Sequence, residues 1–199
     1  MSGIYDLLND VSQPALSKAY KAKMVHTIPP VEVIDRAPYI LKAAHKATVL
    51  DLGCIGPMGD ALREVTKEYH GIDVADMEMD YNYHRLNLDA ADSLPDIPGL
   101  DLIVAGEIIE HVSNAGHMLD LMHKTGVPVI LTTPNAFSAS GMAYLAKGIE
   151  LVNKEHVSWY SYKTLTTLIA RHRFRVVEWF WYNGKPLVAE GLVFRLEPK

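Results

Sequence analysis

A chain of 199 residues is long enough to bury one sizeable core and short of two full domains. Its net charge of −5 excludes a general electrostatic attraction to nucleic acid or to an anionic membrane surface. The single cysteine, Cys54, excludes an internal disulfide framework and a multi-thiolate zinc site, and fits a reducing compartment. With no apolar span of the about 18 residues that a membrane crossing needs, and no leader-like pattern in residues 1–10, a cytoplasmic, single-domain globular protein is expected.

In residues 1–30, Leu7, Leu8, Val11, Leu16 and Tyr20 recur at roughly helical spacing, broken by Pro14. Val33, Ile34, Tyr39, Ile40 and Leu41 predict a helix that leads into the first strand, with Pro38 at its start or kinking it. Residues 1–45 are therefore expected to form an N-terminal helical cap, and residues 46–199 the main compact unit.

The run Ala47-Thr48-Val49-Leu50-Asp51-Leu52 ends near an acid and breaks into Gly53, Gly56 and Gly59, after which residues 58–68 read as a helix. Strand, tight loop and helix N-terminus in this order are a usual cradle for a nucleotide-like ligand. The loop carries no GxxxxGK[ST] pattern and no basic residue, so it suits a cationic or polyhydroxylated ligand better than a pyrophosphate.

Further strands are expected at 69–74, 86–89, 101–105 and 127–132, with a helix over 116–124 between the last two. The continuous apolar run of the last strand implies burial on both faces. Ser161 is placed to cap a helix carrying Leu165, Leu168 and Ile169, with Arg171, His172 and Arg173 at its C-terminal end. Residues 174–182 read as a strand, Asn183-Gly184-Lys185-Pro186 as a turn, and 187–196 as a returning strand. Strands alternating with helices predict an α/β fold with a doubly wound, mostly parallel sheet, closed by a C-terminal antiparallel hairpin.

Ligands of such sheets bind beyond the carboxyl ends of the strands. Asp51, Asp73 and Asp89 all fall at predicted ends, and Asp73 follows Asp51 by 22 residues, near the spacing of an acid that holds a ribose. A carboxylate suits that task because it accepts hydrogen bonds from two vicinal hydroxyls. The alternative for each acid is a helix cap or a solvated loop position.

Taken together, these residues resemble the class I S-adenosylmethionine-dependent methyltransferases, and within them the small-molecule branch of the ubiquinone-type O-methyltransferases. The resemblance rests on Val49-Leu50-Asp51-Leu52-Gly53-Cys54, Gly71-Ile72-Asp73, Leu88-Asp89-Ala90-Ala91-Asp92-Ser93-Leu94-Pro95, residues 101–112, Leu131-Thr132-Thr133-Pro134-Asn135 and His156-Val157-Ser158-Trp159-Tyr160-Ser161. It spans about residues 35–182 and implies a Rossmann-like sheet of seven strands with S-adenosylmethionine as cofactor. By this resemblance Asp51, Gly53, Cys54 and Gly56 approach the amino-acid end of the cofactor, Asp73 and Val74 hold the ribose, Asp89 and Ala90 read the adenine, and Glu107 lies beside the methionine portion. The family usually alternates its glycines (DxGxGxG), whereas here they stand three apart and Ile55 takes the middle place. A β-branched residue does not readily adopt positive φ. The loop is therefore expected to take another route, and a chain that has lost the cofactor stays open as an alternative.

Methyl transfer from this cofactor is an in-line displacement, for which the protein supplies alignment and, where needed, a base. Ala105-Gly106-Glu107-Ile108 stands where base-amino methyltransferases carry [DNS]-P-P-[YF], and the only cysteine sits in the cofactor loop, which leaves carbon-5 pyrimidine chemistry without its nucleophile. An oxygen, nitrogen or sulfur of a small molecule is the expected acceptor. A nucleic-acid or protein acceptor would need a basic rim from Lys18, Lys21, Lys23, Arg36 and Lys42. His111 and His156 are the candidate bases, because imidazole titrates near working pH. Asn135, Trp159 and Tyr160 are candidate acceptor contacts, and Trp179 and Trp181 are expected in the core. Glu107 and Glu110 would share one side if their segment were helical. No metal is expected from these spacings.

Overall fold

The computed structural model describes residues 26–199, so the helical spacing read over Leu7 to Tyr20 and the lysines Lys18, Lys21 and Lys23 lie outside the described residues. Eight strands form one sheet: β1 (Val33–Ile34), β2 (Thr48–Leu52), β3 (Glu68–Asp73), β4 (Asn82–Arg85), β5 (Leu102–Gly106), β6 (Val129–Pro134), β7 (Phe174–Tyr182) and β8 (Gly191–Pro198). The helices are α1 (Arg36–Ala44), α2 (Pro57–Val65), α3 (Ala115–Thr125), α4 (Ala139–Leu145) and α5 (Tyr162–Arg171). The order across the sheet is β1-β7-β8-β6-β5-β2-β3-β4, and only β8 runs antiparallel to its neighbours.

The central strands are buried on both sides because alternate residues enter two separate cores. Leu50 and Leu52 of β2, with Ile103 and Ala105 of β5, face the core that α3 and α5 cover through Met118, Leu119, Leu165 and Ile169. Val49, Leu102, Val104 and Ile130 face the opposite core, which α1 and α2 cover through Ile40, Ala44 and Leu62. Helices on both faces of a mostly parallel sheet make the doubly wound, Rossmann-like architecture. Chain order proceeds outward from β2 through β3 to β4 and then returns to β5 on the other side of β2. That reversal puts the switch point at the C-terminal ends of β2 and β5, where Gly53 and Glu107 stand.

Four differences from the sequence reading have local causes. Val33 and Ile34 form an eighth, two-residue strand parallel to Trp181 and Tyr182, too short to show a pattern of its own. The helix starts only after Asp35, whose carboxylate accepts from the Ala37 backbone N–H, and Pro38 sits in its first turn, where no intrahelical donor is missed. The third of the predicted strands is Asn82–Arg85 and not 86–89, because this edge strand is polar and half-exposed and gives no apolar signal. The connection of the final hairpin runs over residues 183–190 and not 183–186, since β8 begins at Gly191. Ser161 does cap α5: its hydroxyl accepts from Thr164 N–H while Thr164 Oγ1 accepts from Ser161 N–H. Among the described residues no helix is long and apolar enough to cross a membrane.

Candidate active site

The C-terminal edge of the sheet opens into three hollows. The first, about 290 Å³, is walled by Ile72, Leu86, Ile108 and Val112, with Asp73, Asn87, Asp89 and His111 as its polar members. The second, about 420 Å³, lies over the glycine loop between Arg36, Asp51, Gly53, Gly56 and Gly106. Gly53 belongs to both, so the two are adjoining parts of one cleft. The third, about 190 Å³, is lined by Glu110, Asn135, His156, Trp159 and Glu190, among others.

The glycine loop reaches an open conformation without straining Ile55. Positive φ falls on Gly53 (76°) and Gly56 (147°), and Ile55 is absent from the non-glycine residues with positive φ. Gly59 is needed for a different reason: a Cβ there would stand 2.2 Å from the carbonyl oxygen of Cys54. The three-residue spacing therefore answers the requirements of this turn, and Ile55 points outward, 45% exposed.

Asp51 lies beneath this loop, 3% exposed, and accepts a 2.8 Å hydrogen bond from the Tyr69 hydroxyl. Burial raises its pKa from 3.8 to about 7. Cys54 is also buried; its Sγ faces the Tyr81 hydroxyl and its N–H donates to the Ile72 carbonyl, so its side chain and N–H both turn away from the cleft. Burial pushes the Cys54 thiol up to about 11, which leaves it protonated. Asp73 lines the first hollow with Val74 beside it, and its Oδ1 holds the Ala75 N–H.

Asp89 reaches the same hollow, but its two oxygens accept from the backbone N–H groups of Ser113 and Asn114 at the start of α3. Ala90 does not line the hollow, and its N–H donates to the Asn87 carbonyl within a turn; the expectation that it reads a ring nitrogen is not met by this geometry. Asn87 and Leu88 stand there instead.

Glu107 and Glu110 occupy a turn rather than a helix, with Glu107 at φ 55°. The Glu107 carboxylate accepts from Thr132 Oγ1 and the Tyr182 hydroxyl, each at 2.8 Å, and pairs with Arg36 Nη1 at 3.0 Å. Glu110 is 1% exposed; Oε2 accepts from Thr133 Oγ1 at 3.0 Å, while Oε1 has no hydrogen-bond partner. Burial first, and then the charge of Glu107, push its pKa up to about 8.

His111 lines the first hollow and His156 the third, and their rings meet edge to face with centroids 4.6 Å apart. The backbone carbonyl of Glu110 ties the two segments together by accepting from the N–H groups of Val157 and Ser158. Burial, followed by the neighbouring His111, lowers the His156 pKa and favours the neutral imidazole.

Of the expected acceptor contacts, Trp159 lines the third hollow and is 40% exposed. Tyr160 is buried in the core, because Asn135 and Tyr160 form a parallel bridge that turns alternate side chains in and out. Asn135 lines the hollow, yet its amide donates to the carbonyls of Leu187 and Ala189 and its Oδ1 accepts from Phe137 N–H; it anchors the β7–β8 loop. Trp179 and Trp181 are core residues as expected.

Thr132, Tyr182 and Glu190 escaped the sequence reading as site residues, and Arg36, named there only as a rim cation for a macromolecular acceptor, is engaged by Glu107. Arg36 and Tyr182 come from elements far apart in the chain and meet only through the β1–β7 pairing, for which no motif exists.

A hollow with an acid at the end of β3, apolar walls and a glycine turn at the switch point defines a nucleoside-binding α/β protein. The family described as a methyltransferase domain matches residues 24–178, and the chain belongs to it. It is a class I S-adenosylmethionine-dependent methyltransferase, an enzyme that takes S-adenosylmethionine as its cofactor. The fold is similar to an S-adenosylmethionine-dependent methyltransferase from Mesorhizobium loti (14% identity, 81% of this chain and 95% of that one, TM-score 0.59). It is also similar to 1,6-didemethyltoxoflavin-N1-methyltransferase from Burkholderia thailandensis, solved with 1,6-didemethyltoxoflavin and S-adenosylhomocysteine (12% identity, 82% and 76%, TM-score 0.60). The small RNA methyltransferase HEN1 aligns with 94% of this chain but only 26% of its own (16% identity, TM-score 0.67). No curated protein matches the sequence.

Proposed function

We propose that the chain transfers the cofactor's methyl group to an oxygen, nitrogen or sulfur atom of a small-molecule acceptor held in the hollow between Glu110, His156 and Trp159. The observation that carries this reading is the third hollow itself, about 190 Å³, which adjoins the cofactor cleft across the Glu110-His111 turn, with the His111 and His156 rings packed edge to face between the two. A pocket of this size admits a small planar molecule. The Burkholderia thailandensis neighbour holds a small molecule, 1,6-didemethyltoxoflavin, together with S-adenosylhomocysteine.

In this reading Asp73 accepts from the ribose hydroxyls, and Ile72, Leu86, Ile108 and Val112 enclose the adenine. The turn at Gly53 and Gly56 receives the amino-acid end, over Asp51, whose carboxyl pKa is raised to about 7 by burial. The cofactor supplies an already activated methyl group, so what the chain adds is alignment and the fate of one acceptor proton. His156, held neutral and facing the third hollow, receives that proton, and Trp159 gives the acceptor an apolar wall.

A nucleic-acid acceptor is the second reading, favoured by the extent of the match to the small RNA methyltransferase. Against it stand the net charge of −5, the acids Glu110 and Glu190 in the hollow, and the engagement of Arg36 by Glu107. The test measures S-adenosylhomocysteine release over a panel of phenols, amines and thiols beside short RNA and DNA strands. Release with a member of the small-molecule panel is expected. Release confined to the nucleic acids, with affinity that falls steeply with salt, would overturn the first reading in favour of the second.

A further inference from the structure

Residues 143–155, between β6 and α5, are exposed without a break. Tyr144, Leu145, Ile149, Leu151 and Val152 lie within this stretch and Trp159 just beyond it, all large apolar side chains facing water, Leu145 at 65% exposure. Helix α4 has seven residues, and among the described residues none of them is buried. Its start is fastened: the Ser138 hydroxyl accepts from Gly141 N–H, and Ala139 N–H donates to the Val188 carbonyl. The chain then turns back, with Ile149 N–H donating to the Tyr144 carbonyl, so the apolar side chains on either side of the turn are brought together. A helix this short draws its stability from an apolar face that is packed, and a clustered exposed apolar surface of this kind marks an interaction site.

The charges in the stretch say what covers it. Lys147, Glu150, Lys154 and Glu155 are two of each sign. Among the described residues none of the four joins an ion pair, and Lys147 has only the Tyr144 ring beneath its Nζ, at 5.4 Å. A strip without cationic excess gains nothing from an anionic bilayer or from phosphates. A strip with both signs is suited to a copy of itself, because across a two-fold axis each contact occurs twice and the lysines of one copy face the glutamates of the other. The chain as a whole carries −5, so two copies repel over most of their surface, and this neutral strip is where they can meet. A standard interface takes roughly 20–30 residues a side, and residues 137–159 give a stretch of that length.

We propose that residues 137–159 form a two-fold interface between two copies of this chain, and that each copy roofs the acceptor hollow of the other. Leu151, Val152 and Trp159 are at once exposed and part of the lining of that hollow, so a partner seated on the strip closes its solvent side. The interface goes beyond the proposed function, and only the effect on the hollow rests on it. Closure keeps water from the acceptor and limits the length of acceptor that can enter, which makes the partner's side chains part of the specificity of the site.

The test follows the full chain by sedimentation velocity from low micromolar to near-millimolar concentration, with S-adenosylhomocysteine binding as the proof of folding in every variant. Wild type is expected to reach twice the chain mass, and Leu145→Glu, which enters the interface twice, to weaken association by at least tenfold. A charge exchange then tests the two-fold pairing. The double variant Lys147→Glu, Lys154→Glu presents an acidic strip, and Glu150→Lys, Glu155→Lys a basic one. Each alone should stay monomeric, and an equimolar mixture of the two should dimerise. A wild type that is monomeric at every concentration overturns the proposal, whether residues 1–25 or a different macromolecule covers the strip. A dimer that Leu145→Glu and both charge variants leave unchanged lies on another face and overturns it as well. So does wild type that floats with phospholipid vesicles and loses them in Leu145→Glu while remaining monomeric in solution. If wild type is monomeric and binds S-adenosylhomocysteine, the interface falls and the methyltransferase reading stands. If it dimerises through the strip but transfers methyl groups to no small molecule, the interface stands and the acceptor reading falls.

Discussion

Arg36 Nη1 lies 3.0 Å from Glu107 Oε1, joining the first residue of α1 to the turn that follows β5. The guanidinium also stacks over the Tyr182 ring at 4.8 Å, and the Tyr182 hydroxyl donates to the other oxygen of the same carboxylate. Both charged side chains keep 30% of their surface exposed, so the pair sits between the weak surface regime and the costly buried one. Three elements, α1, β5 and β7, thus converge on one carboxylate beside the switch point. The positive φ at Glu107 aims its side chain back over the strand ends and makes the convergence possible.

Arg36→Met is therefore expected to destabilise the fold by about 1–2 kcal/mol, the range for a hydrogen bond to a charged group discounted for partial exposure. The Tyr182 and Thr132 hydroxyls would remain to satisfy Glu107. Thermal unfolding should report a fall of roughly 2–8 °C for a domain of this size. An unchanged midpoint would show that solvent, not Glu107, holds the guanidinium.

Asp73→Ala is expected to weaken S-adenosylhomocysteine binding by more than tenfold, because hydrogen bonds to a carboxylate are worth about 1.5–3 kcal/mol. Its loss also frees the Ala75 N–H, so Asp73→Asn, which retains an acceptor for that group, separates the turn from the ribose contact. Calorimetry on both variants decides the matter. Affinity left intact in the alanine variant would put the ribose elsewhere in the cleft.

The pH dependence of stability has a sign that follows from Asp51. Its carboxyl is raised from 3.8 to about 7 by burial, so across that window the folded chain holds a proton that the unfolded chain has lost. Stability then falls as pH rises through the window and levels off above it, by at most about 1.4 kcal/mol per pH unit and with a ceiling of about 4 kcal/mol. Asp51→Asn cannot ionise, yet still accepts from the Tyr69 hydroxyl, and should flatten this part of the profile. Urea unfolding of wild type and variant at pH 5 and pH 8 measures the difference. Parallel slopes for the two would mean that Asp51 is ionised in the folded chain.

The fold was legible in the sequence where residues face apolar cores on both sides. The runs at β2, β5 and β6 are continuous because alternate residues enter two different cores, and β7 is bounded as its pattern implied. It was illegible where a strand is short or polar. Val33–Ile34 has only two residues to show, and Asn82–Arg85 lies at the sheet edge, where His70 and His84 stack in place of an apolar contact. The site divides in the same way. Asp51, Gly53 and Asp73, which the structure puts in the lining of the cleft, were legible because strand ends and glycine turns leave local marks, while Glu107 was named only through the family resemblance. Tyr160 was assigned to the wrong face because pocket-facing and core-facing aromatics look alike until a strand partner fixes the alternation. The Arg36–Glu107–Tyr182 convergence had no mark at all, being made by pairing between the first and seventh strands.

Gly191 tests that convergence without touching it directly. It pairs with Tyr182 across β7 and β8, and a Cβ built on it would stand 2.1 Å from Tyr182 Cζ and 2.2 Å from the hydroxyl oxygen. The tyrosine ring lies across the glycine, and the absence of a side chain there is what lets the hydroxyl reach Glu107. Gly191→Ala must push the ring aside, with an overpacking cost of about 1–3 kcal/mol and the added loss of the bond to a charged acceptor. A total near 3 kcal/mol or more, read as roughly 6–12 °C in the midpoint, is expected. Tyr182→Ala removes the ring that clashes, so in the double variant the cost of the alanine at 191 should largely vanish, a coupling well outside additivity. Strict additivity in this cycle would mean that the strain of Gly191→Ala falls on the backbone of β8 and that the position of Tyr182 does not depend on it.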